Sequence, residues 1–324
     1  MQIKYIALSI AALAVVTGCA RLVSNTADNQ ATADVRPIIV TTLYPWTYVT
    51  ERIVGDTARV TPIIPQGVEP HDYEPTSYQL ADMLRASLVV YTGAGFEPWL
   101  EKFLPELSDA HIPAVAMTEG VRLRPALEPH DDHTDEGGVH EEVNDGRAGF
   151  LDAHIWLDPL LLADQVDALR VHLETIAPEH AMLYRANAQA LIIDLQELDA
   201  AYRDGLARCT LDHIIVSHNA FAYLAGRYSF AIISLAGQAP EHDIIAGHMA
   251  EVIREARREG IKYVFTEPLA ESSTAVTVAD ELQGSILTLD PLEGITADGL
   301  QRGENYLTVM RVNLSNLKRA LSCQ

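Results

Sequence analysis

The 324 residues are 48% hydrophobic and carry a formal net charge of −22 with histidine neutral. That length and apolar content suffice for one large domain or two lobes, each with its own core. The acidic field excludes nucleic acid as a partner and is compatible with a cationic ligand.

Lys4 is the only charge before an apolar run at 6–16. The run has the length of a signal-peptide core and is too short to span a bilayer stably. It ends in Val16-Thr17-Gly18-Cys19, which resembles a bacterial lipobox. Residues 1–18 are therefore expected to be a lipoprotein signal peptide, with Cys19 lipid-modified as the first mature residue. The plainer alternative is an ordinary signal with a chance cysteine. Residues 19–36 are polar and expected to be a flexible tether. With Cys19 set aside, Cys209 and Cys323 remain as an even pair. Either they are free thiols or, as export favours, they form a disulfide.

Strands are expected at 37–42, 60–64, 87–91 and 112–117, from short β-branched or apolar runs. Helices are expected at 76–85 and 97–107, with another beginning in 49–54. Residues 128–146, EPHDDHTDEGGVHEEVNDG, have no periodic apolar positions and are expected to form a mobile loop. Two long helical stretches follow at 160–176 and 178–208. The second runs about thirty residues, roughly 45 Å, long enough to join two lobes as a stiff beam. The strand–helix alternation then resumes. Strands are expected at 213–217, 231–235, 261–266 and 285–289. Helices are expected at 220–226, 248–260, 274–283 and 305–321. The expected fold class is α/β: two lobes with mostly parallel sheets joined by a long connector helix. The boundaries fall at 37–159 for the first lobe, 160–208 for the connector and 209–324 for the second lobe.

His71 lies in the loop after the second strand, and His218 follows the strand at 213–217 almost directly. Asp290 and Glu293 follow the strand ending at Leu289. In parallel α/β sheets ligands collect at the carboxyl ends of strands, so distant segments can meet in one crevice. His154, in GFLDAHIWLDP, precedes a helix starting near Asp158-Pro159. Imidazole nitrogen and carboxylate oxygen suit zinc. The spacings form no local metal motif, and each histidine alone reads as structural or solvated. There is no G-x-G-x-x-G, P-loop or G-x-S-x-G.

The phrases around these residues carry a resemblance. PHDYEP at 70–75, HIWLDP at 154–159, SHNAFAYLA at 217–225, EPL at 267–269 and LDPLEG at 289–294 resemble zinc- and manganese-binding receptors of ABC importers. This is the cluster A-I family often called ZnuA-like or TroA-like, and the likeness covers about 36–322. It implies a four-stranded sheet in each lobe, a rigid helix between them and a metal in the cleft. The ligand histidines fall on His71, His154 and His218. The fourth ligand is left open. Glu293 is best placed and Asp290 next; Glu267 could instead bond a ligand imidazole, and water could replace any of them. A histidine at the third position implies Zn2+ over Mn2+, consistent with its preference for nitrogen. Eight acids surround His130, His133 and His140 between Glu128 and Asp145. The resemblance makes that loop an auxiliary weak zinc-capture segment; otherwise it is merely a solvated charged loop.

The implied protein is a monomeric, lipid-anchored, extracytoplasmic zinc receptor that serves an ABC permease and is not an enzyme. A manganese receptor, a zinc hydrolase using Glu267 as base, and an adhesin are the rivals. Trp46, Trp99 and Trp156 are expected in the core or cleft wall. His242 and His248 are expected at the surface, and His111, His172, His180 and His213 without a role.

Overall fold

The computed structural model describes residues 35–126, 151–236, 246–269 and 273–324. The signal peptide, Cys19, His130, His133, His140 and His242 lie outside the described residues. Residues 36–324 form one compact unit. In its first half β1 (Ile38–Thr41), β2 (Arg59–Pro62), β3 (Leu88–Tyr91) and β4 (Ala114–Ala116) alternate with α1 (Tyr44–Val54), α2 (Ser77–Met83) and α3 (Pro98–Asp109). The strands are parallel in the order β2-β1-β3-β4. An antiparallel ribbon, β5 (Arg124–Pro125) with β6 (Leu151–Asp152), precedes α4 (Pro159–Ile176) and α5 (Ala181–Leu206). In the second half β7 (His213–Val216), β8 (Ala231–Ser234), β9 (Tyr263–Thr266) and β10 (Ser285–Thr288) alternate with α6 (Ala222–Tyr228), α7 (Ala246–Glu259) and α8 (Ser273–Glu281). The sheet order is β10-β9-β7-β8, again parallel and with the same topology read from the β8 end. The short α9 (Ala297–Gln301) and α10 (Tyr306–Ala320) close the chain.

The expected strands and long helices are present within a few residues. α1 begins at Tyr44 rather than near Val49, with Pro45 in its first turn. Most of its residues are buried, so it lacks the polar face that makes a helix readable. The first residues of the long helical run, Pro178–His180, form a separate 3-10 turn. The remaining 26 residues make α5 about 39 Å long rather than 45 Å. Caps fix several helix starts. The Asp158 carboxylate accepts from the amides of Leu160 and Leu161 at 3.0 and 3.3 Å, with Pro159 in the first turn. Thr76 and Gln79 form a reciprocal capping box on α2.

α5 buries Tyr184, Ala188, Leu191, Leu195, Leu198, Tyr202 and Leu206, one stripe at helical spacing. Its first half is bonded to the α1 region: Arg52 reaches Asp194 at 2.7 Å and Asn187 donates to the Ile53 carbonyl at 2.9 Å. Its second half is bonded to the other sheet's helices. Tyr202 donates to the Met310 carbonyl at 2.6 Å, and Tyr228 donates to Asp199 at 3.1 Å. One hydrophobic core runs through both halves, and a smaller cluster around Val252 and Val264 lies against the second sheet. A disulfide joins Cys209 to Cys323 across a separation of 114 residues. Closing such a loop constrains the unfolded chain by about 4–5 kcal/mol in the chain-entropy account. No helix among the described residues is long and apolar enough to cross a membrane.

Candidate metal centre

Four loops at the carboxyl ends of strands build the site. His71 sits in the loop after β2. Gln79 braces that loop by donating to the Ile63 carbonyl at 2.7 Å and the Tyr73 hydroxyl at 2.6 Å. His154 leaves β6 and opens the 3-10 turn Ile155–Leu157, whose residues are wholly buried. His218 follows β7. Glu293 lies in the loop after β10, behind Leu292, whose backbone is left-handed at φ 59°. The Asp290 carboxylate holds that turn by accepting from the Leu292 amide at 2.7 Å. A Cβ on the following Gly294 would come within 2.7 Å of the end of the Leu269 side chain, which would have to turn aside.

The three imidazoles converge on one carboxylate oxygen. Glu293 Oε1 is 3.4 Å from His71 Nε2, 3.1 Å from His154 Nε2 and 3.3 Å from His218 Nε2. The three ring centroids form a triangle with 5.8 Å on each side. All four donor atoms lie within 4.8 Å of one another. A tetrahedron with zinc–ligand bonds of about 2.0–2.1 Å has ligand–ligand edges of about 3.3–3.4 Å, close to the three distances around Glu293. His154, His218 and Glu293 are buried, while the His71 side chain keeps 12% of its surface exposed. Among the described residues His218 Nε2 is buried without a hydrogen-bond partner, 3.3 Å from Glu293 Oε1. A buried nitrogen aimed at a cluster of donors is costly unless a cation or proton sits there. The donor set fits a divalent metal.

The far sides of two rings are held by carboxylates. His154 Nδ1 is 2.8 Å from Asp152 Oδ1, and His218 Nδ1 is 2.6 Å from Glu267 Oε1. Each Nδ1–H donates outward, which turns the Nε2 lone pair inward and raises its basicity. Ser217 also donates to the Glu267 oxygen. Without metal these contacts shift the titrations. Burial works to depress the His154 imidazole, yet its bonds to Asp152 and Glu293 raise it to about 9. The same opposition ends with His218 well above its ordinary value, through the charges of Glu267 and Glu293. Burial works to raise the Glu293 carboxyl, but His71, His154 and His218 together hold it well below the usual range. Phe96 and Trp156 wall one side, with ring centroids 4.7 Å from His71 and 5.1 Å from His154 respectively.

Of the candidates, His71, His154, His218 and Glu293 are brought together and Asp290 is not. Asp290 is spent on the Leu292 turn, and burial first, then neighbouring carboxylates, push it up to about 7. Glu267 takes the imidazole-bonding place. Trp156 is fully buried and donates to the Pro291 carbonyl at 2.7 Å, so it packs and walls at once. Among the described residues, His111, His172, His180, His213 and His248 stand outside the cluster. His248 is half-buried rather than exposed, its Nε2 2.9 Å from the Ser234 carbonyl. Sequence reasoning missed Asp152 and Phe96. Asp152 precedes His154 in LDAHIW by the short spacing that lets one carboxylate cap both the His154 amide, at 3.0 Å, and its ring.

Two parallel four-stranded sheets with a largely buried three-histidine, one-carboxylate cluster at their strand ends define a two-lobed α/β protein with a candidate metal site. The family described as zinc-uptake complex component A, periplasmic, matches residues 39–320, and the chain belongs to it. Among curated relatives it is 33% identical over 292 residues to a zinc-binding lipoprotein AdcA of Streptococcus pneumoniae, covering 90% of this chain and 57% of that one. It is 30% identical over 283 residues to the high-affinity zinc uptake system protein ZnuA of Bacillus subtilis, covering 87% of each. The chain thus spans little more than half the length of the first relatives. Its fold matches the Zn(II)-bound ZnuA-like domain of Streptococcus pneumoniae AdcA with a TM-score of 0.74 at 31% identity, covering 88% of this chain and 99% of that domain.

Proposed function

We propose that the chain is an extracytoplasmic receptor that binds Zn2+ and delivers it to the permease of an ABC-type importer. In this reading His71, His154, His218 and Glu293 are the ligands, and zinc is cargo. The carrying observation is the convergence of three Nε2 atoms on Glu293 Oε1 at tetrahedral-edge distances. Three neutral imidazoles with one carboxylate favour zinc over manganese, which prefers oxygen. A hydrolase would need an open coordination position and a free base. Here Glu293 fills the fourth place, and Glu267 is engaged by His218 and Ser217.

The wider reading has Cys19 as the lipid anchor and 19–36 as a tether. The sheet-bearing halves, 37–159 and 209–324, are joined by 160–208, and the receptor acts as a monomer. The segment 128–146, with His130, His133 and His140, serves as a weak capture loop. Metal analysis of the purified protein, with Mn2+ competing against Zn2+ and with His71, His154 and His218 changed one at a time to alanine, tests the core of this. One tight zinc per chain, lost or sharply weakened in each variant, supports it. Displacement of zinc by equimolar manganese, or retention of full affinity by the variants, refutes it.

A further inference from the structure

We infer that Tyr223 is a positioning residue for the cation site, acting through Asp152 on His154. The inference rests on the zinc reading above. Tyr223 stands at the start of α6, in the same run as His218, and is 3% exposed. Its hydroxyl donates to the Asp152 carbonyl at 2.9 Å and accepts from the Arg124 amide at 3.0 Å. Arg124 and Asp152 are paired in the β5–β6 ribbon. One oxygen therefore grips both strands of a ribbon too short to hold its own register. The Arg124 guanidinium lies over the Tyr223 ring, 5.5 Å from its centroid, and donates to the Ala222 carbonyl at 3.1 Å. An added methyl on Gly226 would strike that guanidinium.

What makes this grip matter is how little else holds the Asp152 side chain. Its Oδ1 is taken by the His154 amide and Nδ1, while its Oδ2 is buried with no hydrogen-bond partner among the described residues. The place of that carboxylate, and so the aim of the His154 ring, is set by the Asp152 backbone, which Tyr223 pins. Glu267, the matching carboxylate behind His218, is instead gripped through its own side chain by Ser217. The Tyr223 hydroxyl thus couples the His218 segment to the His154 segment.

Tyr223→Phe keeps the ring and removes both bonds. It is expected to weaken zinc binding about ten-fold, the low end for losing a group behind a ligand. Zinc release should quicken and the visible spectrum of the Co2+-loaded protein should change, while the zinc-free chain keeps the parent's circular dichroism spectrum. In an Asp152→Ala background the same replacement should bring no further loss. Parental affinity and release rate in Tyr223→Phe would overturn the inference. So would an equal loss with and without the Asp152 side chain, since Tyr223 would then act through general packing. A parent chain that takes up no zinc is a separate result and refutes the zinc reading itself.

Discussion

His154 and His218 each turn one nitrogen toward a carboxylate and the other toward Glu293, so protons and a metal compete for the same inward lone pairs. The His154 imidazole, ordinarily at 6.5, is raised to about 9 in the metal-free fold. Its proton therefore stabilises the metal-free chain fully below about 6.5, and that contribution is lost as pH rises through about 9. Zinc binding at pH 7–8 must expel it, so affinity should fall continuously as pH drops from about 9. Calorimetry in buffers of different protonation enthalpy should register about one or more protons released per zinc; a heat independent of buffer would contradict this. Glu267→Gln keeps an acceptor for His218 Nδ1–H but removes its charge. A loss of roughly ten-fold in zinc affinity is expected by competition titration, and an unchanged affinity would remove Glu267 from the site's support. At this scale the three histidines that the structure clusters were legible because each sits in a distinctive phrase, while Glu293 was one of several choices for the fourth place. Asp152 was legible in principle, two residues before His154 in LDAHIW, whereas Tyr223 was hidden because its bond to the Asp152 carbonyl spans 71 residues that no local pattern reports.

Among the elements, the β-branched runs IIVT, LVVY, HIIV and YVFT announced their strands, because strands buried in parallel sheets read as continuous apolar segments. The β5–β6 ribbon did not, since strands of two residues carry no periodicity. Glycine sets one junction firmly. A Cβ on Gly284, in the turn between α8 and β10, would drive into the backbone carbonyl of Lys262, which must accept from the Ser285 amide at 2.8 Å to start the β9–β10 pair. Because backbone rather than a flexible side chain is struck, Gly284→Ala is expected to destabilise the fold by about 1–3 kcal/mol. Thermal or urea unfolding measures this; a midpoint equal to the parent's would show that the turn relaxes freely.

For the whole molecule, the anticipated pair of sheets and long helix are present, but the beam is more closely embedded than its sequence suggests. α5 is packed along its length and bonded to both halves, and one core runs through them. Cargo should therefore leave the overall dimensions unchanged. Small-angle scattering of zinc-free and zinc-loaded chains should give the same radius of gyration, and a marked contraction on loading would refute this.

A girder riveted at both ends resists a swing of the halves like jaws. On the proposed reading, the ion's comings and goings then become a local affair of the loops that carry His71, His154, His218 and Glu293 rather than of any swivelling of the frame.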